Sequence, residues 1–105
     1  VLRHYGLGVE GGRALAAILA LNRSWKFLDL SGNRLGSAGS AALAGALTEN
    51  TAVEELDLSD NDMGIDGAAA LAEMLHNGGA PRLLSLRLGG NRLRDEGVRK
   101  LADAL

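Results

Sequence analysis

The amino-acid sequence predicts an α/β solenoid, in which units of one short strand and one helix stack along a single axis. Four stretches of the 105-residue chain are similar to one another; they begin at Tyr5, Asn33, Asn61 and Asn91, at spacings of 28, 28 and 30 residues. A short run with alternating leucines precedes each asparagine, and an Ala/Leu-rich run with helical spacing follows it. A unit of this size cannot bury both of its apolar faces alone, so the units are expected to stack.

The strands are predicted from pairs of leucines that lie five and three positions before each asparagine. In the second unit these are Leu28 and Leu30, within the run WKFLDLSGN. Because side chains alternate between the two faces of a strand, both leucines face one side and Asp29 faces the other. Short parallel strands are therefore expected with centres near residues 28–30, 56–58 and 86–88.

The helices are predicted from the spacing Gly-x-x-x-Leu-x-x-x-Leu, which places both leucines on one stripe. In the second unit the three residues are Gly39, Leu43 and Leu47. We place this glycine at the junction between loop and helix, where backbone approaches neighbouring backbone. The third unit is longer by two residues, which fall in HNGGAPRL and predict a longer loop. Helices are expected near residues 12–20, 40–47, 68–76 and 98–105.

A glycine motif near the start of the chain has a second interpretation. Residues 6–11, GLGVEG, have the Gly-x-Gly-x-x-Gly spacing of a dinucleotide-binding turn, in which backbone approaches phosphate. In the other three units the position of Gly6 is occupied by Arg34, Asp62 and Arg92. A phosphate-binding turn does not tolerate that exchange, whereas a variable loop position does. We therefore predict no cofactor here and interpret the glycines as part of the repeat.

These residues and spacings resemble the leucine-rich repeat of the ribonuclease-inhibitor subtype. The pattern L-x-x-L-x-L-x-x-N-x-L followed by G-x-x-x-L-x-x-x-L extends over essentially the whole chain. The units are similar to those of NOD-like receptors and Ran GTPase-activating proteins. The resemblance implies a right-handed solenoid whose parallel strands line the concave side and whose helices lie on the convex side. It implies a single segment of about four repeats, at residues 1–22, 23–50, 51–80 and 81–105.

The resemblance also gives the asparagines a structural role. An amide side chain donates and accepts hydrogen bonds at once, and in this family the asparagine bonds loop backbone where the strand ends. Asn33, Asn61 and Asn91 would therefore form a ladder through the stack. Tyr5 departs from the pattern, because a phenol cannot replace the paired donor and acceptor of an amide. An altered first turn is expected there.

Composition and chain boundaries narrow the class of protein. The chain has no cysteine, and no run reaches the roughly 18 apolar residues of a membrane span. A soluble cytoplasmic protein without membrane contact is expected. The chain begins at Val1 in the middle of a strand and ends at Leu105, an inward helix position. We therefore expect a segment of a longer solenoid, with further repeats or neighbouring chains covering its open ends.

The charged residues are segregated along the chain. Residues 1–34 carry a net charge of +3, residues 35–81 carry −8 with no lysine or arginine, and residues 82–105 carry +3. This banding is either the signature of a partner or drift of exposed positions within one repeat. The acidic centre argues against nucleic acid as the main ligand and favours a protein partner with a basic patch.

The sequence offers no catalytic or metal-binding constellation. The two histidines, His4 and His76, fall in different units, so no metal site is expected. Glu55 and Asp57 share one strand face, and we interpret them as binding residues rather than an acid–base couple. A non-enzymatic protein-recognition or scaffold module is therefore predicted. The alternatives are a GTPase-activating segment of the Ran type, the sensor segment of a NOD-like receptor, and a structural part of a large assembly.

The candidate binding surface is the outward face of the strands with the adjoining turns. Phe27 is either an apolar anchor on this face or an isolated exposed aromatic. Neighbouring strands place Asp29 close to Asp57, so mutual repulsion is expected, which a basic partner would relieve. Arg3 and Arg87 would mark the edges of the acidic centre. The predicted protein-binding residues are Phe27, Asp29, Glu55, Asp57, Asp60 and Arg87.

Overall fold

The computed structural model of the protein describes Arg3 and residues 6–104. The predictions made for Val1, His4, Tyr5 and Leu105 therefore lie outside the described residues. The described elements are α1 (Gly8–Leu21), β1 (Phe27–Asp29), α2 (Gly36–Glu49), β2 (Glu55–Asp57), α3 (Gly64–His76), β3 (Ser85–Arg87) and α4 (Arg94–Ala104). The predicted alternation of strands and helices is confirmed. No helix in this part of the chain combines the length and apolarity that crossing a bilayer requires.

The strands form one parallel sheet in the order β1-β2-β3. The central leucines are in register, with Leu28 beside Leu56 and Leu56 beside Leu86. The helices also follow chain order, because each packs on the next one along the sequence. Units that are neighbours in the sequence are therefore neighbours in space, as expected of a stack.

The core lies between the strand layer and the helix layer. Leu30 and Leu58, which directly follow β1 and β2, are fully buried, and they join one apolar cluster with helix residues such as Leu47 and Leu71. Trp25 is half-buried and packs against this cluster. The leucine stripes of both element types thus meet in a single interior.

The helices begin about one turn earlier than the sequence predicted. Gly39, like Gly67 and Gly97, lies inside its helix, so placing it at the loop–helix junction was wrong. Its lack of a side chain instead serves the packing of helix on helix. A Cβ on Gly12 of α1 would lie 3.3 Å from the Cα of Gly39 and 3.0 Å from a methyl of Leu35. Glycine at these positions lets α1 and α2 approach closely.

The turn after each strand holds three residues in the left-handed backbone region, and the middle one corresponds to Gly6 of the glycine motif. At the position of Gly6 the φ angle is +63°, and at the equivalent Arg34, Asp62 and Arg92 it is +55°, +53° and +54°. Left-handed backbone is unfavourable for residues with a Cβ. The turn geometry of the repeat therefore imposes the conformation, and glycine suits it without strain.

We expect Arg34→Gly to raise the free energy of unfolding by about 0.5–1 kcal/mol, because it removes the left-handed penalty. Arg34 is exposed and makes no ion pair within the described chain, so little else is lost. Urea denaturation measures the change. Arg13→Gly, inside α1, is the control and should destabilise the protein by about 1 kcal/mol, because glycine is unfavourable in a helix and the exposed ion pair of Arg13 with Glu10 contributes little. Destabilisation by both variants would contradict the role assigned to the turn.

Candidate functional site

The outward side of the sheet forms one continuous surface. In each strand the central leucine points inward and the two flanking residues point outward. The parallel register places Phe27 beside Glu55 and Asp57 beside Arg87, on strands about 4.8 Å apart. We call this surface the strand face, and its residues are Phe27, Asp29, Glu55, Asp57, Ser85 and Arg87.

The strand face encloses a shallow cavity of about 240 Å³. Phe27 lies at one corner and is 67% exposed. Five of the six predicted binding residues line this cavity, and Asp60 does not. Asp60 lies in the turn after β2, where its carboxylate borders a separate loop-side cavity together with Asp62 and Arg92. The structure therefore divides the predicted set between two surfaces.

Asp29 is already engaged within the protein. Its Oδ1 accepts hydrogen bonds from the hydroxyl of Ser31 at 2.7 Å and from the amide of Ser31 at 3.0 Å. Its Oδ2 lies 3.4 Å from Nε of Arg3. The Ser31 hydroxyl is the main cause that lowers the pKa of Asp29 below its ordinary value of 3.8, and partial burial opposes the shift. Repulsion by Asp57 would raise this pKa, so the lowered pKa means that hydrogen bonding outweighs the repulsion that the sequence predicted.

This lowered pKa gives the stability a defined pH dependence. A folded-state pKa below the unfolded value means that ionised Asp29 stabilises the fold above about pH 4, and the stabilisation is lost as the pH falls through the folded-state pKa. Asp29→Asn keeps an acceptor for Ser31 but removes the titration. We expect its free energy of unfolding to fall less steeply between about pH 5 and pH 2.5 than that of the wild type. Glu73→Gln is the control, and identical profiles for Asp29→Asn and wild type would contradict the assignment.

The central strand carries two carboxylates that have no cationic partner within the described part of the chain. Oδ1 of Asp57 accepts a hydrogen bond from the amide of Ser59 at 2.9 Å, which leaves its second oxygen available. Glu55 is exposed, and within the described residues it makes no side-chain hydrogen bond or ion pair. Arg87 lies beside Asp57 in the register without forming an ion pair in the described chain. The middle of the strand face is therefore acidic, and arginines lie at both edges.

Asparagines hold the strand face in place from the side of the turns. Asn61 is fully buried, and its Nδ2 donates to the carbonyls of Leu30 at 2.9 Å and Leu58 at 3.1 Å. Its Oδ1 accepts from the amides of Asn33 at 2.9 Å and Leu35 at 3.4 Å. One side chain thus ties the backbone of its own unit to that of the preceding unit.

The same arrangement recurs in the neighbouring units. Oδ1 of Asn91 accepts from the amide of Asn61 at 2.8 Å, and Nδ2 of Asn33 donates to the carbonyl of Leu30 at 2.9 Å. The amide of Gly8, within the glycine motif, donates to the backbone carbonyl of Asn33 at 2.8 Å. The central glycine of this motif is therefore bonded to the backbone of the next unit, beside the asparagine ladder.

Asn50, directly after α2, is a second kind of structural asparagine that was not predicted from the sequence. Asn50 is almost fully buried, and its Nδ2 donates to the carbonyls of Leu19 at 2.8 Å and Asn22 at 2.9 Å. The available signal was the 28-residue spacing from Asn22 to Asn50. In the next unit the backbone amide of Ala80 donates to the carbonyl of Leu47 at 2.9 Å, in place of an asparagine side chain.

The chemistry of the strand face suits contact with a side chain of another protein. Its cavity of about 240 Å³ is below the roughly 300–1,000 Å³ of typical small-molecule pockets. Within the described residues, no group of three or more His, Cys, Asp or Glu is arranged to hold a metal ion. The face combines an exposed ring, two available carboxylates and a guanidinium, which are the elements of a polar protein interface.

Comparison with known proteins finds a match to one family model, described as Leucine Rich repeat. It matches three segments, residues 22–44, 49–72 and 81–102, which together span more than half of the chain. Each segment contains one strand and the first part of the helix that follows it. The chain has no significant match among curated proteins.

Proposed function

The chain belongs to the leucine-rich repeat family, and from that premise we propose that it is a recognition module that binds a protein partner through the strand face. Leucine-rich repeat domains generally mediate protein–protein interaction and are typically non-catalytic. The observation that carries the proposal is the combination of exposed Phe27 with Glu55 and Asp57, whose charges have no partner within the described residues.

We further propose that the chain is of the ribonuclease-inhibitor subtype, a right-handed solenoid with the strand face on its concave side. The repeat spacing of 28 to 30 residues supports this subtype. So does a full helix of 11 to 14 residues after each of the turns that the structure describes. A concave strand face would surround a protruding element of the partner.

The partner is proposed to present a basic patch. Arg3 neutralises Asp29 at one edge, so the attraction is expected to come from Glu55 and Asp57. Residues 35–81 carry a net charge of −8 that includes these two carboxylates, and this charge would attract a basic surface over a longer range. Such attraction acts mainly on the association rate and weakens as salt is added.

The test is the double variant Glu55→Gln with Asp57→Asn, assayed by calorimetry against the partner captured on the folded chain. Asparagine keeps an acceptor for the amide of Ser59, so the turn is preserved. We expect the affinity to fall about tenfold at low salt, because two charge contacts are lost. The difference should shrink at high salt as the charges are screened.

The matched control is Glu49→Gln with Glu73→Gln, which removes the same charge from exposed positions on α2 and α3. This variant should keep nearly wild-type affinity. An equal loss in both variants would mean that only the net charge matters. No loss in the strand-face variant at low salt would place the binding surface elsewhere.

The identity of the partner also separates the two family-based alternatives. If the partner is a small GTPase, its rate of GTP hydrolysis with and without the chain tests a function of the Ran type. An unchanged rate together with tight binding supports recognition. A sensor role of the NOD-like type would instead require an attached nucleotide-binding domain.

We also propose that a neighbouring unit covers the outer edge of β3. In the inner units, the amide of Leu30 donates to Asp57 at 2.8 Å and that of Leu58 donates to Arg87 at 2.9 Å. The equivalent amide of Leu88 has no acceptor within the described chain, which leaves an open sheet edge. Covering this edge should therefore slow the hydrogen exchange of the Leu88 backbone amide. NMR measures the exchange rate as the concentration of the chain is raised, and again after the neighbouring unit is added. Fast exchange under all these conditions would contradict a covered edge.

A further inference from the structure

We infer that the strand face carries a docking position for one arginine side chain, formed by Phe27, Glu55 and Asp57. This inference rests on the proposed function and specifies it, because it names the side chain that the basic partner inserts. Three features of the strand face lead to it: the spacing of the two carboxylates, the exposed ring beside them, and the cations at both edges.

The carboxylates are spaced for a group with several donors. Glu55 and Asp57 are successive outward residues of β2, so their Cα atoms are roughly 6.6 Å apart. Glu55 offers both oxygens, and Asp57 offers the oxygen that Ser59 does not use. A guanidinium has five N–H donors in a planar fork and can bond both carboxylates together. An ammonium is a compact point charge without that fork.

The ring of Phe27 adds a preference for the planar cation. Phe27 is paired in register with Glu55 on the neighbouring strand, and its side chain is 67% exposed. A guanidinium bonded to Glu55 can therefore approach the face of the Phe27 ring, and a cation–aromatic contact needs a separation of roughly 6 Å or less. Arginine stacks on such a face, whereas the ammonium of lysine is more strongly hydrated. The exposed ring is thus explained as a platform for the bound side chain.

Arginines at both edges of the strand face limit the number of cations that can bind there to one. Arg87 lies beside Asp57 on β3, and Arg3 lies 3.4 Å from Asp29 beyond β1. A second cation approaching either edge would meet a like charge, which disfavours densely basic segments. The cavity of about 240 Å³ suits one side chain rather than a larger ligand. The segment that enters the strand face therefore presents one arginine flanked by uncharged residues, and the other basic residues of the partner lie outside the strand face.

The experiment is an NMR titration of the isotope-labelled chain with three pentapeptides blocked at both ends. Their sequences are Gly-Gly-X-Gly-Gly, where X is arginine, lysine or the neutral isostere citrulline. We expect the arginine peptide to shift the ring signals of Phe27 and the amides of Glu55 and Asp57 saturably. Its Kd should be about two- to fivefold lower than that of the lysine peptide, the contribution of an exposed cation–aromatic contact. Citrulline should give no saturable shift.

Two variants separate the ring from the carboxylates. Phe27→Leu keeps an apolar side chain, so the lysine peptide should bind as before and the preference for arginine should disappear. Glu55→Gln should weaken both peptides, and the control Glu73→Gln on α3 should weaken neither. Equal affinities in the wild type, a preference that survives Phe27→Leu, or shifts centred on Asp62 would overturn the inference.

The outcomes also distinguish this inference from the proposed function. If Glu55→Gln with Asp57→Asn weakens the partner but the peptides show no preference, the arginine position is wrong and the recognition face stands. If the peptides show the preference and the partner ignores the variant, the arginine position exists and the proposed role of the strand face is wrong.

Discussion

Replacing Asn61 by leucine is expected to lower the free energy of unfolding by about 3 kcal/mol or more, because several buried backbone groups lose their partners together. Asn61 is fully buried, and its side chain bonds the carbonyls of Leu30 and Leu58 and the amide of Asn33. Leucine has a similar size but replaces none of these bonds. Urea denaturation followed by circular dichroism measures the loss.

The matched control is Asn77→Leu, at the exposed end of α3. It makes the same chemical change where no buried group depends on the amide, so the effect should stay within about 0.5 kcal/mol. If the two variants were equally stable, the asparagine ladder would not hold the units together as described.

Leu56→Ala is expected to destabilise the protein by about 2–5 kcal/mol, since it leaves a cavity beneath the central strand. Leu56 is 2% exposed and lies between the other two central leucines of the sheet. Its neighbours Glu55 and Asp57 project to the opposite side, so this packing also positions the strand face. The unfolding midpoint in urea and the slope of the transition are both measured, because a changed slope would indicate loss of two-state behaviour.

Leu84→Ala provides the control for the same substitution at the surface. Leu84 precedes β3 and is 82% exposed, so its truncation should change the free energy of unfolding by less than about 0.5 kcal/mol. A small effect at Leu56 would show that the interior does not depend on the strand leucines.

Periodicity predicted the order and type of the elements, because each leucine stripe must be buried. The predicted strand centre at residues 28–30 is one residue later than β1, Phe27–Asp29. The helix starts were less accurate for a physical reason. Helix α2 begins at Gly36, where φ is +65°, and α4 begins at Arg94, where φ is +57°. A left-handed start occupied by either glycine or arginine gives no consistent signal in the residue types.

The strand residues of the candidate site were predicted from the sequence, whereas the contacts of the turn residues were not. Alternation alone places Phe27, Glu55 and Arg87 on one face, since they share the outward register. The hydrogen bonds from Ser31 to Asp29 were not predicted, because they depend on the conformation of the turn that follows the strand. For the same reason the sequence did not separate the turn residue Asp60 from the strand face.

Photo-crosslinking from defined positions tests most directly whether the strand face is the contact surface. Benzoylphenylalanine is introduced at Phe27 in one variant and at Ala41, an exposed position on α2, in another. Both variants are first checked for wild-type circular dichroism and then irradiated with the bound partner. We predict that the probe at position 27 forms the adduct and the probe at position 41 does not. An adduct from position 41 alone would place recognition on the helix layer and contradict the assignment of the strand face.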